Sequence, residues 1–308
     1  DKKGIVLLRK AILDFNPDII HTHSYRDNFY GRIASKNLAR IKRFTTLHLP
    51  LSSNFLMPFY KRSFYQFIDN MTNYLVDGFI AVSHDMKKAL LRQHIDSRKI
   101  RVIQNGLDYK SFEKQGDNSS RLREEWGLKL NQIVIGCIGR LTIQKGQEFL
   151  IKACSILKNK YPGIKLILIG NGVLKEQYKK LAIEEGVDLL LLEFRRDIRS
   201  CLKAMDVFVL PSIDEGLPIT LLEAAEAEIP VVATKVGGVP EFLRDNSDAL
   251  LIESGNPVKI ADAIDFILTH KNQASNMVKS ARKRLIEDFS IEKTASKYID
   301  FYKEVLER

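Results

Sequence analysis

Two acidic residues, Glu215 and Glu223, flank the start of a helix in the stretch DVFVLPSIDEGLPITLLEAAEAEIPVVATKVGGVPE, residues 206–241. Val207–Leu210 has the length and composition of a buried strand. Pro211-Ser212 end it, and Pro218 suits the first turn of a helix. A helix N-terminus attracts anions through its free N–H groups and its dipole. A carboxylate beside bare phosphate would add unfavourable charge. The pair makes chemical sense if N–H groups hold phosphates while Glu215 and Glu223 accept hydrogen bonds from sugar hydroxyls. The competing reading is a surface loop followed by a solvated helix glutamate.

Cations stand at a second strand end. Gly139-Arg140-Leu141 follow the strand expected at Ile133–Ile138, and Lys145-Gly146 open the next helix. Such a pair at the C-terminal end of a parallel strand makes a diphosphate site. Arg140 brings a planar fork and Lys145 a point charge. Taken alone, they read equally as surface cations. His21 and His23, in DIIHTHS, share one strand face, and His48 closes TTLH. Paired imidazoles suggest a metal, but no third ligand lies at suitable spacing and there is no D-x-D, so no metal is expected. Gly170-Asn171-Gly172 is followed by Lys175 where a dinucleotide fingerprint needs its third glycine, which disfavours a dehydrogenase.

The elements that must position these groups follow a βα rhythm. Strands are expected at Ile19–His23, Phe44–Leu47, Gly78–Val82 and Ile100–Ile103, then near 133–138, 164–169, 188–192, 207–210, 229–233 and 249–252. Helices are expected at Gly4–Phe15, Asn28–Leu38, Asn54–Val76 and His84–His94, between the later strands, and last at Ile291–Leu306. The alternation implies parallel, doubly wound sheets. Lys114–Ser120 is polar enough to connect two domains, and 308 residues suffice for both.

Composition narrows the partners. The chain is 45% hydrophobic and 28% charged, as soluble globular proteins are, and no apolar run approaches the roughly 18 residues that span a bilayer. Cys137, Cys154 and Cys201 form no C-x-x-C pair and read as small buried hydrophobes of a reducing, cytoplasmic compartment. Residues 1–124 carry 22 Lys+Arg against 12 Asp+Glu, whereas residues 125–308 carry 26 of each, so the net charge of +10 belongs to the first part. No nucleic-acid motif accompanies it, and attraction to an anionic membrane surface or acceptor fits better. Asn54–Val76, rich in Phe and Tyr with Lys61 and Arg62, suits a helix lying on a membrane or one buried beside a cleft.

The ordered string Pro211-Ser212, Glu215, Glu223, Pro230-Val231-Val232-Ala233 and Gly237-Gly238-Val239-Pro240-Glu241 resembles the signature of retaining glycosyltransferases of family 4, or group 1. The resemblance implies the GT-B architecture, two Rossmann-like parallel-sheet domains facing across a cleft. Residues 1–120 would be a truncated acceptor-side domain, 121–288 the nucleotide-sugar domain, and 289–308 a helix crossing back. It implies transfer of a glycosyl group, with retention, from a nucleotide-diphosphate sugar. A UDP-sugar is the commonest donor, and a lipid-linked or polysaccharide acceptor at the cell surface, as in polysaccharide or lipopolysaccharide biosynthesis, is expected. Arg140 and Lys145 would hold the departing diphosphate without a metal or other cofactor. Glu223 would bind ribose, Glu215 the sugar hydroxyls, and Gly139 and Gly216-Leu217-Pro218-Ile219 the phosphate and sugar. His48 would face the donor sugar across the cleft, with His23 a weaker candidate and His21 structural. Ser83, Asn105 and Gly172 match further positions lining it.

The resemblance runs from Asn16 onward, whereas the family usually places more βα units in front. Two functions stay open on the sequence: a hexosyltransferase-type enzyme, peripheral at the inner membrane face, or a nucleotide-sugar-binding chain that needs a partner or further N-terminal strands.

Overall fold

The computed structural model describes residues 2–49 and 57–308, which form two compact units. The first comprises residues 1–104 with 294–308, and the second residues 105–293. The polar segment expected to connect them, Lys114–Ser120, lies inside the second unit.

In the first unit, α1 (Lys2–Phe15) leads to β1 (Ile19–His23), α2 (Tyr25–Ala34) and β2 (Lys42–Leu47). Then come α3 (Phe59–Thr72), β3 (Gly78–Ala81), α4 (His84–Arg92) and β4 (Ile100–Val102). The four strands are parallel, in the order β1-β2-β3-β4. Alternate side chains bury on opposite faces of the sheet, as a period of two dictates. Leu47, Phe79, Ala81 and Ile100 pack with Met86 and Leu90 of α4. Phe44, Ile80 and Ile103 pack on the other face with Phe301 and Val305.

The second unit holds α5 (Tyr109–Glu113), α6 (Ser119–Glu125), β5 (Val134–Ile138), α7 (Gln147–Leu157), β6 (Lys165–Ile169) and α8 (Lys175–Glu184). It continues through β7 (Leu189–Leu192), α9 (Ile198–Lys203), β8 (Val207–Leu210), α10 (Ile219–Glu226) and β9 (Val231–Thr234). It closes with α11 (Val239–Phe242), β10 (Leu250–Ile252), α12 (Pro257–Thr269) and α13 (Lys271–Asp288). The last helix, α14 (Ile291–Leu306), starts in this unit, and from Thr294 onward belongs to the first. The six strands are parallel, in the order β10-β9-β8-β5-β6-β7. Phe208 and Leu210 face one apolar layer while Val207 and Val209 face the other, so the sheet is covered on both sides.

Cys137, Cys154 and Cys201 are free and buried, and desolvation pushes each thiol up to about 12. They act as core hydrophobes.

For α3 the structure bears on one of the two environments expected for it, burial beside a cleft. The start expected at Asn54, with Phe55, falls outside the described residues. From Phe59 onward the packed face is polar: Arg32 donates to Asp69 Oδ1 at 2.8 Å and to Thr72 Oγ1 at 3.0 Å, all three residues being buried. Phe59, Tyr60, Phe64, Phe67 and Met71 point outward, Phe59 at 73% exposure. This is not a buried helix.

Candidate active site

The second sheet reverses its strand order between β5 and β8, since β6 and β7 lie to one side of that pair and β9 and β10 to the other. In open α/β sheets the loops at such a reversal diverge beyond the strands' carboxyl ends and leave room for a ligand. The loops carrying Arg140, Lys145 and Glu215 leave these two strands. They are joined directly: Ile213 N donates to Gln144 O at 2.8 Å, and Gln144 Nε2 donates to Asp214 O at 2.9 Å.

Lys145 and Glu215 meet here. Lys145 Nζ lies 2.5 Å from Glu215 Oε1, and Ser212 Oγ donates to the same oxygen at 2.6 Å. Glu215 is 5% exposed. A carboxylate this buried must be paired, and one cation with one hydroxyl meets the requirement. Ser212 is held in turn, its carbonyl accepting from Thr234 Oγ1 at 2.6 Å and from Ser254 Oγ at 3.1 Å. Sequence reading passed over Ser212 and Thr234 as site residues. The Pro-Ser pair is the available signal, but it reads as a strand end and as part of the family string, not as a side chain of the site.

Arg140 differs from Lys145. It is exposed, and among the described residues its guanidinium has no hydrogen bond or ion pair. Its backbone is fixed nonetheless, because Gln147 Nε2 donates to Arg140 O at 2.9 Å and Tyr178 Oη donates to Gln147 Oε1 at 3.3 Å. Gly139 lies over the Lys145 stem, 3.6 Å from an added Cβ to Lys145 Cδ. Gly172 backs the same loop so closely that a Cβ would sit 2.2 Å from Leu141 O.

The glutamate loop is pinned from outside. Gly238 N donates to Gly216 O at 2.6 Å, and Asn105 Nδ2 donates to Leu217 O at 2.7 Å. Gly237, at φ +51°, passes so near that a Cβ would lie 1.6 Å from Glu215 O. Pro218 then precedes α10, whose Leu221 and Leu222 are buried while Ile219 is 49% exposed. Glu223, one turn further along α10, has no polar side-chain partner among the described residues, and burial pushes its carboxyl up to about 7. The site therefore presents an unpaired cation, a paired one, and a half-buried carboxyl lacking a donor.

In the first unit, three imidazoles stack at the ends of β1 and β2. Ring centroids of His21 and His23 lie 4.4 Å apart, and those of His23 and His48 5.4 Å apart. His23 Nδ1 and His48 Nε2 are 3.2 Å apart. His21 is tied at both nitrogens, 2.5 Å from Tyr302 Oη and 2.8 Å from Thr46 Oγ1. Desolvation lowers all three pKa values, bringing His21, which also feels the other two, down to about 4. Among the described residues no group of three or more His, Cys, Asp and Glu is arranged to hold a metal. Ser83 is buried and caps α4, its Oγ accepting from Met86 N at 3.1 Å.

Residues 118–284, more than half of the chain, match the model of glycosyl transferases group 1, and residues 3–111 match that of glycosyltransferase family 4. The chain belongs to the group 1 glycosyltransferases, and is an enzyme of the hexosyltransferase type working on nucleotide sugars.

Among its relatives is the Escherichia coli UDP-Gal:alpha-D-GlcNAc-diphosphoundecaprenol alpha-1,3-galactosyltransferase, 29% identical over 98% of this chain and 79% of that protein. The Staphylococcus aureus capsular polysaccharide biosynthesis glycosyltransferase CapM is 27% identical over 96% of this chain and 81% of its own length. Among solved structures, Anabaena HepE in complex with UDP-glucose superposes with a TM-score of 0.85 at 21% identity, covering 99% of this chain and 82% of that one. At that identity the likeness establishes the GT-B fold.

Proposed function

We propose that the chain transfers a hexose, with retention of configuration, from a UDP-sugar to a lipid-linked saccharide acceptor. The observation that carries the donor half is the set of groups at the β5–β8 reversal, where Arg140 and Lys145 stand beside the loop preceding α10. Arg140 and Lys145 take the diphosphate, supplemented by the N–H groups that helix geometry leaves over in the first turn of α10. Glu223 accepts the ribose hydroxyls, and Glu215 accepts those of the transferred sugar. Gly139 and the Gly216–Ile219 backbone approach the phosphate and sugar, and Gly172 and Asn105 hold those loops.

The transition state resembles an oxocarbenium ion, so negative charge grows on the departing diphosphate. Two cations answer that charge, Lys145 held by Glu215 and Arg140 free to reach it, which is why no metal is proposed. Glu215 also holds Lys145 before the donor arrives, so the lysine's position is set in advance. His48, the exposed end of the imidazole stack, acts on the sugar with His23 as its hydrogen-bond partner. The Ser83 hydroxyl is engaged as a helix cap, so its part is to shape the loop after β3.

A lipid-linked acceptor is supported by the named activity of the E. coli relative, which uses a diphosphoundecaprenol acceptor. It is also supported by the basic first unit and its outward aromatic face on α3, which suit peripheral attachment to an anionic membrane at the cytoplasmic face. Among the described residues no helix is long and apolar enough to cross a membrane.

Calorimetric titration with UDP tests the donor half. Arg140→Ala and Glu223→Ala are each expected to weaken binding about tenfold or more, on the order of 1.4 kcal/mol. UDP binding unaffected by either substitution overturns the assignment.

A further inference from the structure

We infer that the pocket between α2 and α3 receives the first part of the hydrocarbon chain of an anionic, lipid-linked acceptor. This rests on the acceptor class proposed above and locates where that acceptor is held. The pocket has a volume of about 570 Å³, within the range of small-molecule sites. Phe29 and Tyr30 of α2 and Tyr65 and Ile68 of α3 supply its walls, together with Met57. Asp69 also borders it, but that carboxylate is committed to Arg32, and both are almost wholly buried. The pocket is therefore lined mainly by apolar surface, with its one buried acid already neutralised.

Its rim is of opposite character. Arg26 lines the pocket, is exposed, and stacks over the Tyr30 ring at 5.8 Å from its centroid. Among the described residues it has no carboxylate partner. An apolar pocket with an arginine on its rim matches a molecule with a hydrocarbon chain and a phosphate at its head.

The pocket also adjoins the imidazole stack. Ser24, which lines it, follows His23 directly, and Tyr25, another lining residue, donates from Oη to Leu49 O at 2.6 Å, next to His48. Ser24 takes φ +93°, an unusual value for a residue with a side chain, where the chain leaves β1 for α2. A chain seated between α2 and α3 thus brings its head toward His23 and His48.

The test is binding of farnesyl diphosphate to the whole chain, with saturating UDP present to occupy the donor site. Inorganic diphosphate and phosphatidylglycerol vesicles are run as separate arms. The wild type is expected to bind farnesyl diphosphate, and Ile68→Trp, which fills the pocket, to weaken it at least tenfold. Tyr65→Asp changes an exposed wall residue and is expected to act in the same direction. Both variants should keep wild-type UDP affinity, which reports an intact donor site. Arg26→Gln should weaken farnesyl diphosphate more than it weakens farnesol. Unchanged binding in Ile68→Trp and Tyr65→Asp overturns the inference, as does inorganic diphosphate binding as tightly as the farnesyl compound. Vesicle binding without farnesyl diphosphate binding replaces the pocket by a membrane surface. Intact UDP binding in either case leaves the donor reading standing.

Discussion

Replacing Glu223 by Gln should stabilise the protein and impair it at once, in a manner that depends on pH. Burial without a compensating donor pushes the Glu223 carboxyl from 4.5 up to about 7. Between those values the folded chain keeps a proton that the unfolded chain releases. The wild type therefore loses stability as pH rises from about 4.5 through 7. The shift sets a ceiling on the loss of about 3 kcal/mol at pH 8 and about 1 kcal/mol at pH 5, and solvent reaching the half-buried carboxylate keeps the loss below it. Gln has no charge to desolvate and escapes both. For a unit of this size, about 2–4 °C per kcal/mol puts the melting temperature of Glu223→Gln up to roughly 6–12 °C above wild type at pH 8. The gain at pH 5 should be only about 2–3 °C. Other groups titrate alike in both proteins and cancel in the difference.

Binding supplies the second readout. If ribose hydroxyls donate to Glu223, UDP affinity in the wild type should rise with pH through about 7, because the ionised carboxylate accepts more strongly. In Glu223→Gln the profile should be flat and binding about tenfold or more weaker at pH 8. Scanning calorimetry at both pH values, paired with UDP titration, decides the matter. Equal stabilisation at pH 5 and pH 8, or unchanged UDP affinity, would refute the argument that this carboxyl is held half-buried for a ligand's donors.

The first unit should respond to acid in the opposite sense. His21 is held down to about 4 against an ordinary 6.5, so its stability contribution is present above pH 6.5 and is lost as pH falls toward 4. His21→Gln should remove up to about 2 kcal/mol of that acid sensitivity, measured as the difference in urea midpoint between pH 7 and pH 4.5. Gly237→Ala should destabilise the second unit by about 2 kcal/mol or more, since a side chain there is strained at positive φ and driven into the Glu215 carbonyl. The same variant should weaken UDP-sugar binding; a melting temperature within 2 °C of wild type, by roughly the same conversion, would show that the close approach is not needed.

Much of the scaffold is legible because its signals are local. β1 and β8 fall on the expected residues, Ile19–His23 and Val207–Leu210, since each is an apolar or β-branched run closed by a turn. Boundaries drift where one residue overrides the pattern. The strand expected from Ile229 begins at Val231, because Pro230 has no N–H to give to the ladder and only its carbonyl is used, by Phe208 N. Helix α2 starts at Tyr25 rather than Asn28, the strained turn at Ser24 having redirected the chain early. The site is another matter. Lys145 and Glu215 are 70 residues apart, and His21 and Tyr302 are 281 apart. No periodicity encodes such pairs; motif order supplied the residues but not their contacts.

The contact between Lys145 and Glu215 bears on how the site meets its donor. A lysine meant for a diphosphate gains nothing from being neutralised unless the neutralising group is needed as well. Glu215 is 5% exposed, and a carboxylate buried that far needs a partner. Lys145 supplies that partner, and the hydroxyl of Ser212 donates to the same oxygen. On the proposed donor reading, Arg140, exposed and without an ion pair among the described residues, would be the cation available for first encounter. An incoming diphosphate would then compete for Lys145 while the sugar hydroxyls replace part of what Glu215 gives up. Diphosphate and sugar would each make binding of the other less unfavourable. On this account the loss of Ser212 should be felt more with a nucleotide sugar than with the bare nucleotide, because only the sugar relies on Glu215 being held.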